Sequence, residues 1–185
     1  MSFDVVAIGA SLGGLSAIET LLGALPKSYR AAVLIVQHRR ADGGSRLLEL
    51  LRGHSALPVS EPEDKQPLEP GQVYLAPPNY HMLVERGLLS LSVDPPVAFA
   101  RPSVDVLFES VADAYGPRAV AVVLTGSNHD GAAGAAAIKR RGGVVLVQDP
   151  GSAEAPETPS AALAATDVDA VLELPALALR LSSLA

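Results

Sequence analysis

Three residues far apart in the chain have the types that acyl transfer by a hydroxyl group needs. Ser11 stands in the stretch VVAIGASLGG, where Gly9, Ser11 and Gly13 satisfy G-x-S-x-G. His38 directly follows the apolar run AVLIVQ, and Asp130 lies in LTGSNHDG. A serine hydroxyl is a weak nucleophile until a base takes its proton. Imidazole can do so near neutral pH because its ordinary pKa is about 6.5. A carboxylate then holds the ring's tautomer and stabilises its charged form. Small residues around Ser11 permit the sharp strand-to-helix turn that exposes a nucleophile. The amides of Leu12 and Gly13, and an amide in the Ser127 loop, are candidate donors to a developing oxyanion.

Each residue also has a plainer reading. Glycines at a first βα turn commonly bind anions, and Ser11 could be a polar residue of such a loop. The dinucleotide fingerprint G-x-G-x-x-G fails, however, because its second glycine would be Ser11, and no Gly-Lys-Ser/Thr follows for a P-loop. The α/β-hydrolase order fits poorly, since there the serine follows several strands and the histidine comes last. His38 alone reads as a strand-end histidine bonded to a carbonyl. Asp130 alone reads as a cap of the helix that follows it, whose dipole favours an ionised carboxylate. His54, His81 and His129 read as surface or loop residues without metal-ligand spacing. Ser127 and Asn128 read as turn residues, and Arg39-Arg40 and Lys139-Arg140-Arg141 as solvated charges.

The elements that must position these groups follow from periodicity. Strands are predicted over Val5–Gly9, Ala32–Gln37, Val59–Glu61, Val73–Ala76, Ala119–Leu124, Val144–Gln148 and, at an edge, Ala170–Leu174. A hairpin is predicted from His81–Glu85 and Leu88–Val93 around Arg86-Gly87. Helices are predicted over Gly13–Leu25, Ser45–Leu51, Val104–Tyr115 capped by Ser103, Ala132–Arg141, Ser160–Ala165 and Pro175–Leu184. The Pro-rich stretch Asp149–Ser160 reads as a surface loop at the rim of the sheet. This order predicts an α/β fold: a doubly wound, mostly parallel sheet flanked by helices, with a small β-hairpin insertion, in a Rossmann-like three-layer architecture. Ligands of such sheets bind beyond the carboxyl ends of the strands. Ser11, His38 and Asp130 each follow a buried strand at that rim, and their joint occurrence there favours the catalytic reading over the plain ones.

Composition narrows the remaining classes. The 185 residues fit one domain, residues 1–185, with a full core. Aromatic residues make up only 4% of the chain and the formal net charge is −6, which argues against nucleic acid and against anionic membranes. No apolar run approaches a membrane span, and no basic region precedes the first strand as in a secretory signal. The absence of cysteine excludes thiol catalysis and thiolate metal sites and makes a cytoplasmic location the expectation.

Six blocks carry a resemblance: VVAIGASLGG, VLIVQH, PLEPGQVYLAPPNYHM, RPSVDVLFES, AVVLTGSNHDGAAG and GGVVLVQDP. Their order and spacing resemble the catalytic domain of chemotaxis protein-glutamate methylesterases of the CheB type, from about Asp4 to the last helix. The resemblance implies a serine hydrolase that removes methanol from γ-glutamyl methyl esters on the cytoplasmic helices of methyl-accepting chemoreceptors. Many such enzymes also deamidate receptor glutamines. It implies Ser11 as nucleophile, His38 as base and Asp130 as the carboxylate, with no cofactor and no metal. Leu12 stands where the family usually has threonine, Ser127-Asn128 where it has Met-Gly, and Pro156–Pro159 where it has a G-M-P-like segment. Two other readings follow from these departures: a domain that binds a receptor or partner without hydrolysis, and a hydrolase of another ester or amide. The expectation is a stand-alone catalytic domain without a receiver domain ahead of the first strand, hence without regulation by phosphorylation within the chain, the alternative being a piece of a longer protein.

Overall fold

The computed structural model describes residues 3–39 and 46–184. Its main sheet has seven strands, all parallel: β1 (Val5–Ala10), β2 (Ala32–Gln37), β3 (Val59–Ser60), β4 (Val73–Leu75), β7 (Ala119–Val123), β8 (Val144–Gln148) and β9 (Ala170–Leu172). The spatial order is β3-β4-β2-β1-β7-β8-β9. The winding therefore reverses at β1, with β2 on one side and β7 on the other. That reversal opens a crevice at the carboxyl ends of these strands. Strands β5 (His81–Glu85) and β6 (Leu88–Ser92) form a separate antiparallel hairpin, turned at Gly87 with φ 84°.

Each central strand is buried on both faces, so its sequence is a continuous apolar run. Alternate residues feed two cores. Val6, Ile8, Val33 and Ile35 pack with Leu21, Leu177 and Leu181 from α1 (Gly14–Ala24) and α6 (Leu174–Ser182). Val5, Ala7, Leu34 and Val36 pack with Phe108 and Ile138 from α3 (Val104–Tyr115) and α4 (Ala132–Arg140). The remaining helices are α2 (Arg46–His54) and α5 (Glu157–Ala165). Ser45, the predicted first residue of α2, lies outside the described residues.

Two predicted helix boundaries change materially: α2 runs on past Leu51 to His54, and α5 starts before Ser160. Helix α5 begins at Glu157, so Pro159, which reads as loop in sequence, sits in the first helical turn. A proline is tolerated there because the first turn's N–H groups have no helical partner anyway. The segment before it forms a short 3₁₀ turn over Pro150–Ser152, capped by the Asp149 carboxylate on the Gly151 N–H at 2.9 Å.

Two glycines set the approach distances at the crevice. A Cβ on Gly9 would fall 2.2 Å from Val104 Cγ1, so the N-terminus of α3 lies directly on the end of β1. A Cβ on Gly14 would fall 2.1 Å from Gln37 Oε1, which brings the start of α1 against the end of β2. Among the described residues no helix is long and apolar enough to cross a membrane.

Candidate active site

Strands β1, β2 and β7 deliver Ser11, His38 and Asp130 to one rim. The Ser11 turn is held from three sides. Its N–H donates to the Thr125 carbonyl at 3.0 Å, and its carbonyl accepts from the Gly14 N–H at 2.9 Å and from Gln37 Nε2 at 2.7 Å. Gln37 Nε2 also donates to the His38 carbonyl at 3.0 Å, so one side chain ties the serine turn to the histidine backbone. Ser11, Leu12, Gly13, His38 and Ser127 line one cleft of about 680 Å³. The N–H groups of Leu12, Gly13 and Ser127 donate no hydrogen bond among the described residues, whereas Gly14 N–H is taken by Ser11. All three expected oxyanion donors are thus unpaired and belong to residues that line the cleft.

Asp130 is fully buried and accepts four hydrogen bonds. His38 Nε2 and the Val104 N–H reach Oδ2, each at 2.7 Å, while the Ser103 hydroxyl and the Asp105 N–H reach Oδ1 at 2.7 and 2.9 Å. This corrects the sequence expectation. Asp130 precedes α4 but does not cap it; its carboxylate sits on the N-terminus of α3. The N-terminus of α4 is served instead by Asp105, from the first turn of α3, whose Oδ1 accepts from Gly131 and Gly134 at 2.9 and 2.7 Å. The two helices exchange capping carboxylates. The exchange requires Gly134 to be glycine, because a Cβ there would fall 2.5 Å from Phe108 Cβ.

The exchange also sets two opposed titrations. Burial raises the Asp130 pKa, but the bonds from His38, the Asp105 N–H, Ser103 and the Val104 N–H outweigh it and bring the pKa below the ordinary carboxylate value. Burial pushes Asp105 up to about 6, opposed by the Gly134 N–H and reinforced by the Asp130 charge. Asp130 therefore stabilises the fold above the unfolded value of about 3.9, and this is lost as pH falls through its lower folded value. Asp105 has the opposite sign. Its contribution is fully present below about 3.9 and is lost as pH rises through its folded value. Asp105→Asn keeps an acceptor for Gly131 and Gly134 without the charge. The variant should melt above wild type at pH 8, with the gap closing toward pH 4. Melting curves across that range check it, and a wild type more stable than the variant at pH 8 would contradict it.

His38 faces Asn128 as well as Asp130. The Asn128 Oδ1 accepts from the Asp130 N–H at 3.2 Å, and its Nδ2 lies 3.3 Å from His38 Nδ1. Among the described residues no hydrogen bond joins the Ser11 hydroxyl to the ring. The expected serine–imidazole bond is thus not formed in this state, although apo sites often show it long and tighten it only with substrate. His38 and Asn128 also line a second cleft of about 550 Å³, with Arg39, Phe99 and Arg101.

Other sequence readings change here. His81 is not a surface residue: it is 1% exposed, accepts from the Ser103 N–H at Nδ1 (3.2 Å) and bonds the Pro95 carbonyl through Nε2 (3.1 Å). It thereby orients the residue that donates to Asp130. Arg39 is not solvated. Its side chain is 7% exposed and its Nη2 donates to Glu61 and to the Ala76 carbonyl at 2.5 and 2.7 Å. Arg40 lies outside the described residues. His54 and His129 are exposed as expected. Sequence reasoning passed over the roles of Gln37, Asp105, Asn128 and Thr158. The one available signal was polarity where the pattern asks for apolar residues, as in Gln37 at the end of a buried strand. No cluster of metal-ligating side chains exists among the described residues.

The family model described as CheB methylesterase matches residues 6–181. The chain belongs to the CheB methylesterase family. A Leptospira interrogans protein, provisionally described as a protein-glutamate methylesterase/protein-glutamine glutaminase, is 41% identical over 175 residues, covering 94% of this chain and 91% of that one. The similarly named protein 4 of Myxococcus xanthus is 42% identical over 180 residues, covering 97% of this chain but 51% of its own length. The crystal structure of the Thermotoga maritima CheB methylesterase catalytic domain superimposes with a TM-score of 0.93 at 30% identity, covering 100% of both chains. The parallel sheet and its crevice are thus the family's architecture.

Proposed function

We propose that this chain, residues 1–185, acts as one catalytic domain that hydrolyses γ-glutamyl methyl esters on methyl-accepting chemoreceptors, releasing methanol, and deamidates receptor glutamines. The observation that carries the reading is a serine, a histidine and a buried carboxylate on one crevice rim of a chain matched by the family model over residues 6–181. The Ser11 oxygen attacks the ester carbonyl while His38 Nδ1 takes its proton. The oxyanion is held by the free N–H groups of Leu12, Gly13 and Ser127. The tetrahedral adduct collapses, methanol leaves with the proton from His38, and an acyl-enzyme remains. Water then loses a proton to His38, attacks the acyl carbon and releases glutamate and Ser11. With a glutamine substrate the leaving group is ammonia. Asp130 keeps the proton on Nε2, so that Nδ1 is the working nitrogen. The substrate segments are the receptor's cytoplasmic helices, which places the enzyme's work in the cytoplasm.

Receptor carrying isotopically labelled methyl esters should release labelled methanol when the protein is added. Binding to receptor without release of methanol or of ammonia would sink the reading in favour of a non-hydrolytic partner domain. Hydrolysis confined to small esters would favour another substrate.

A helix lying across the second cleft would meet Phe99. Ala98 and Phe99 occupy left-handed backbone, with φ 48° and 63°, in a two-residue turn closed by Val97 and Ala100 at 3.1 and 2.8 Å. Such conformations cost about 1 kcal/mol or more for residues other than glycine. The turn leaves the Phe99 ring wholly exposed at the cleft lip. Phe99→Ala should raise KM for methylated receptor about tenfold, the scale of one exposed aromatic contact, and leave hydrolysis of a small acetyl ester unchanged. Equal losses on both substrates would show that the ring supports the fold instead.

A further inference from the structure

Asn128 occupies the nitrogen that the proposed mechanism needs free. Asp130 accepts from two backbone N–H groups and a hydroxyl, so it is an ionised acceptor, and His38 Nε2 must donate to it. The ring's other nitrogen, Nδ1, is then an acceptor when neutral and a donor when protonated. The Asn128 amide is oriented independently. Its Oδ1 must face the Asp130 N–H, which can only donate, at 3.2 Å. This leaves Nδ2, a donor only, against His38 Nδ1 at 3.3 Å. The pair is satisfied with a neutral imidazole. It is unsatisfied once Nδ1 carries the proton from Ser11, because two donors would then face each other.

We propose that Asn128 is a latch on the base: at rest its amide fills the acceptor site of His38, and Ser11 reacts only when that contact is broken. The proposal rests on His38 serving as base to Ser11, and it adds a residue that acts by occupying the base nitrogen of His38. Several features favour a latch over a turn residue. The loop that carries Asn128 is anchored through Thr158, whose Oγ1 donates to the Asn128 carbonyl at 2.7 Å. Asn128 and His38 both line the second cleft, so a segment entering it meets the amide directly. Ser127, next in the chain, lines the nucleophile's cleft. One short loop therefore joins the entry side to the reacting side. Displacement of the amide toward an incoming backbone carbonyl would free Nδ1 as the substrate arrives.

The test reads the rate at which a fluorophosphonate labels the serine. Acylation of Ser11 by this probe needs the base but not the receptor. Asn128→Ala removes the competing donor and should label about threefold to tenfold faster than wild type, the equivalent of one neutral hydrogen bond. Asn128→Asp keeps an acceptor for the Asp130 N–H but sets a carboxylate against Nδ1. That favours a ring already protonated there, and labelling at neutral pH should slow about tenfold or more. A purely structural role would slow both variants. In ¹⁵N NMR, His38 Nδ1 should move in Asn128→Ala toward the position of an unbonded acceptor nitrogen. Labelling of Asn128→Ala at or below the wild-type rate overturns the latch and leaves the triad standing. Labelling that persists in Ser11→Ala, or fails in wild type and Asn128→Ala alike, overturns the triad and the latch with it.

Discussion

Ser11→Ala is expected to abolish methanol release from methylated receptor, with kcat falling by about 10⁶-fold, the scale seen when a hydrolase loses its nucleophile. The stability should change by less than about 0.5 kcal/mol. The turn around Ser11 is built by its backbone: the N–H to Thr125, the carbonyl to Gly14 and to Gln37. None of these uses the hydroxyl, and an alanine Cβ occupies the place of the serine Cβ. Activity and fold are therefore separable at this position. The measurement pairs methanol release with chemical denaturation. Equal methanol release by wild type and variant would refute the nucleophile assignment. Lost release together with a lowered denaturation midpoint would make the loss uninterpretable as chemistry and would contradict the backbone account of the turn.

Asp130→Asn is expected to damage both. A carboxylate offers acceptor sites on both oxygens, and here each oxygen takes two donors. An amide has one oxygen. Either orientation leaves its NH₂ facing two groups that also donate. If the oxygen keeps Ser103 and the Asp105 N–H, the NH₂ faces His38 Nε2 and drives the ring to the opposite tautomer. Nδ1 would then carry a proton, could not accept one from Ser11, and would oppose the Asn128 amide. A wrong tautomer of this kind lowers kcat by about 10⁴-fold. The orphaned Val104 N–H, at the buried start of α3, adds a destabilisation of about 2–4 kcal/mol. Steady-state kinetics on the folded fraction, with urea denaturation of the same sample, separates the two effects. Wild-type stability in Asp130→Asn would show that α3 does not depend on this carboxylate. Wild-type kcat would show that the tautomer is held by something else.

The two substitutions differ because the residues are placed differently. Ser11 follows a strand whose path is set by neighbours on both sides, and its side chain projects into a cleft. Asp130 is a joint between two helices and the imidazole. The same comparison explains why Asp105, whose N–H donates directly to Asp130 and whose carboxylate accepts from Gly131 and Gly134, has its own pH signature: it sits in the same dry pocket without a cationic partner.

Much of this was determined by the sequence alone. Runs such as AVLIVQ and AVAVV are buried on both faces and so carry a local signature that no partner is needed to read. Their succession with helices specifies a parallel sheet, and the residues immediately after β1 and β2, together with the loop after β7, specify which side chains reach the rim. Ser103 was legible as a helix cap, and its oxygen does accept from the Val106 N–H at 3.4 Å. Tertiary structure alone decided which helix terminus Asp130 would serve. Proximity in sequence favours α4, yet α3 packs across the end of β1 and presents free N–H groups to the carboxylate, while Asp105 satisfies α4 in return. The burial of His81 and Arg39 and the contact of Asn128 with His38 were decided the same way. Hydrophobic periodicity is a property of a short segment, but a polar side chain takes whichever unpaired donor or acceptor the completed packing leaves beside it.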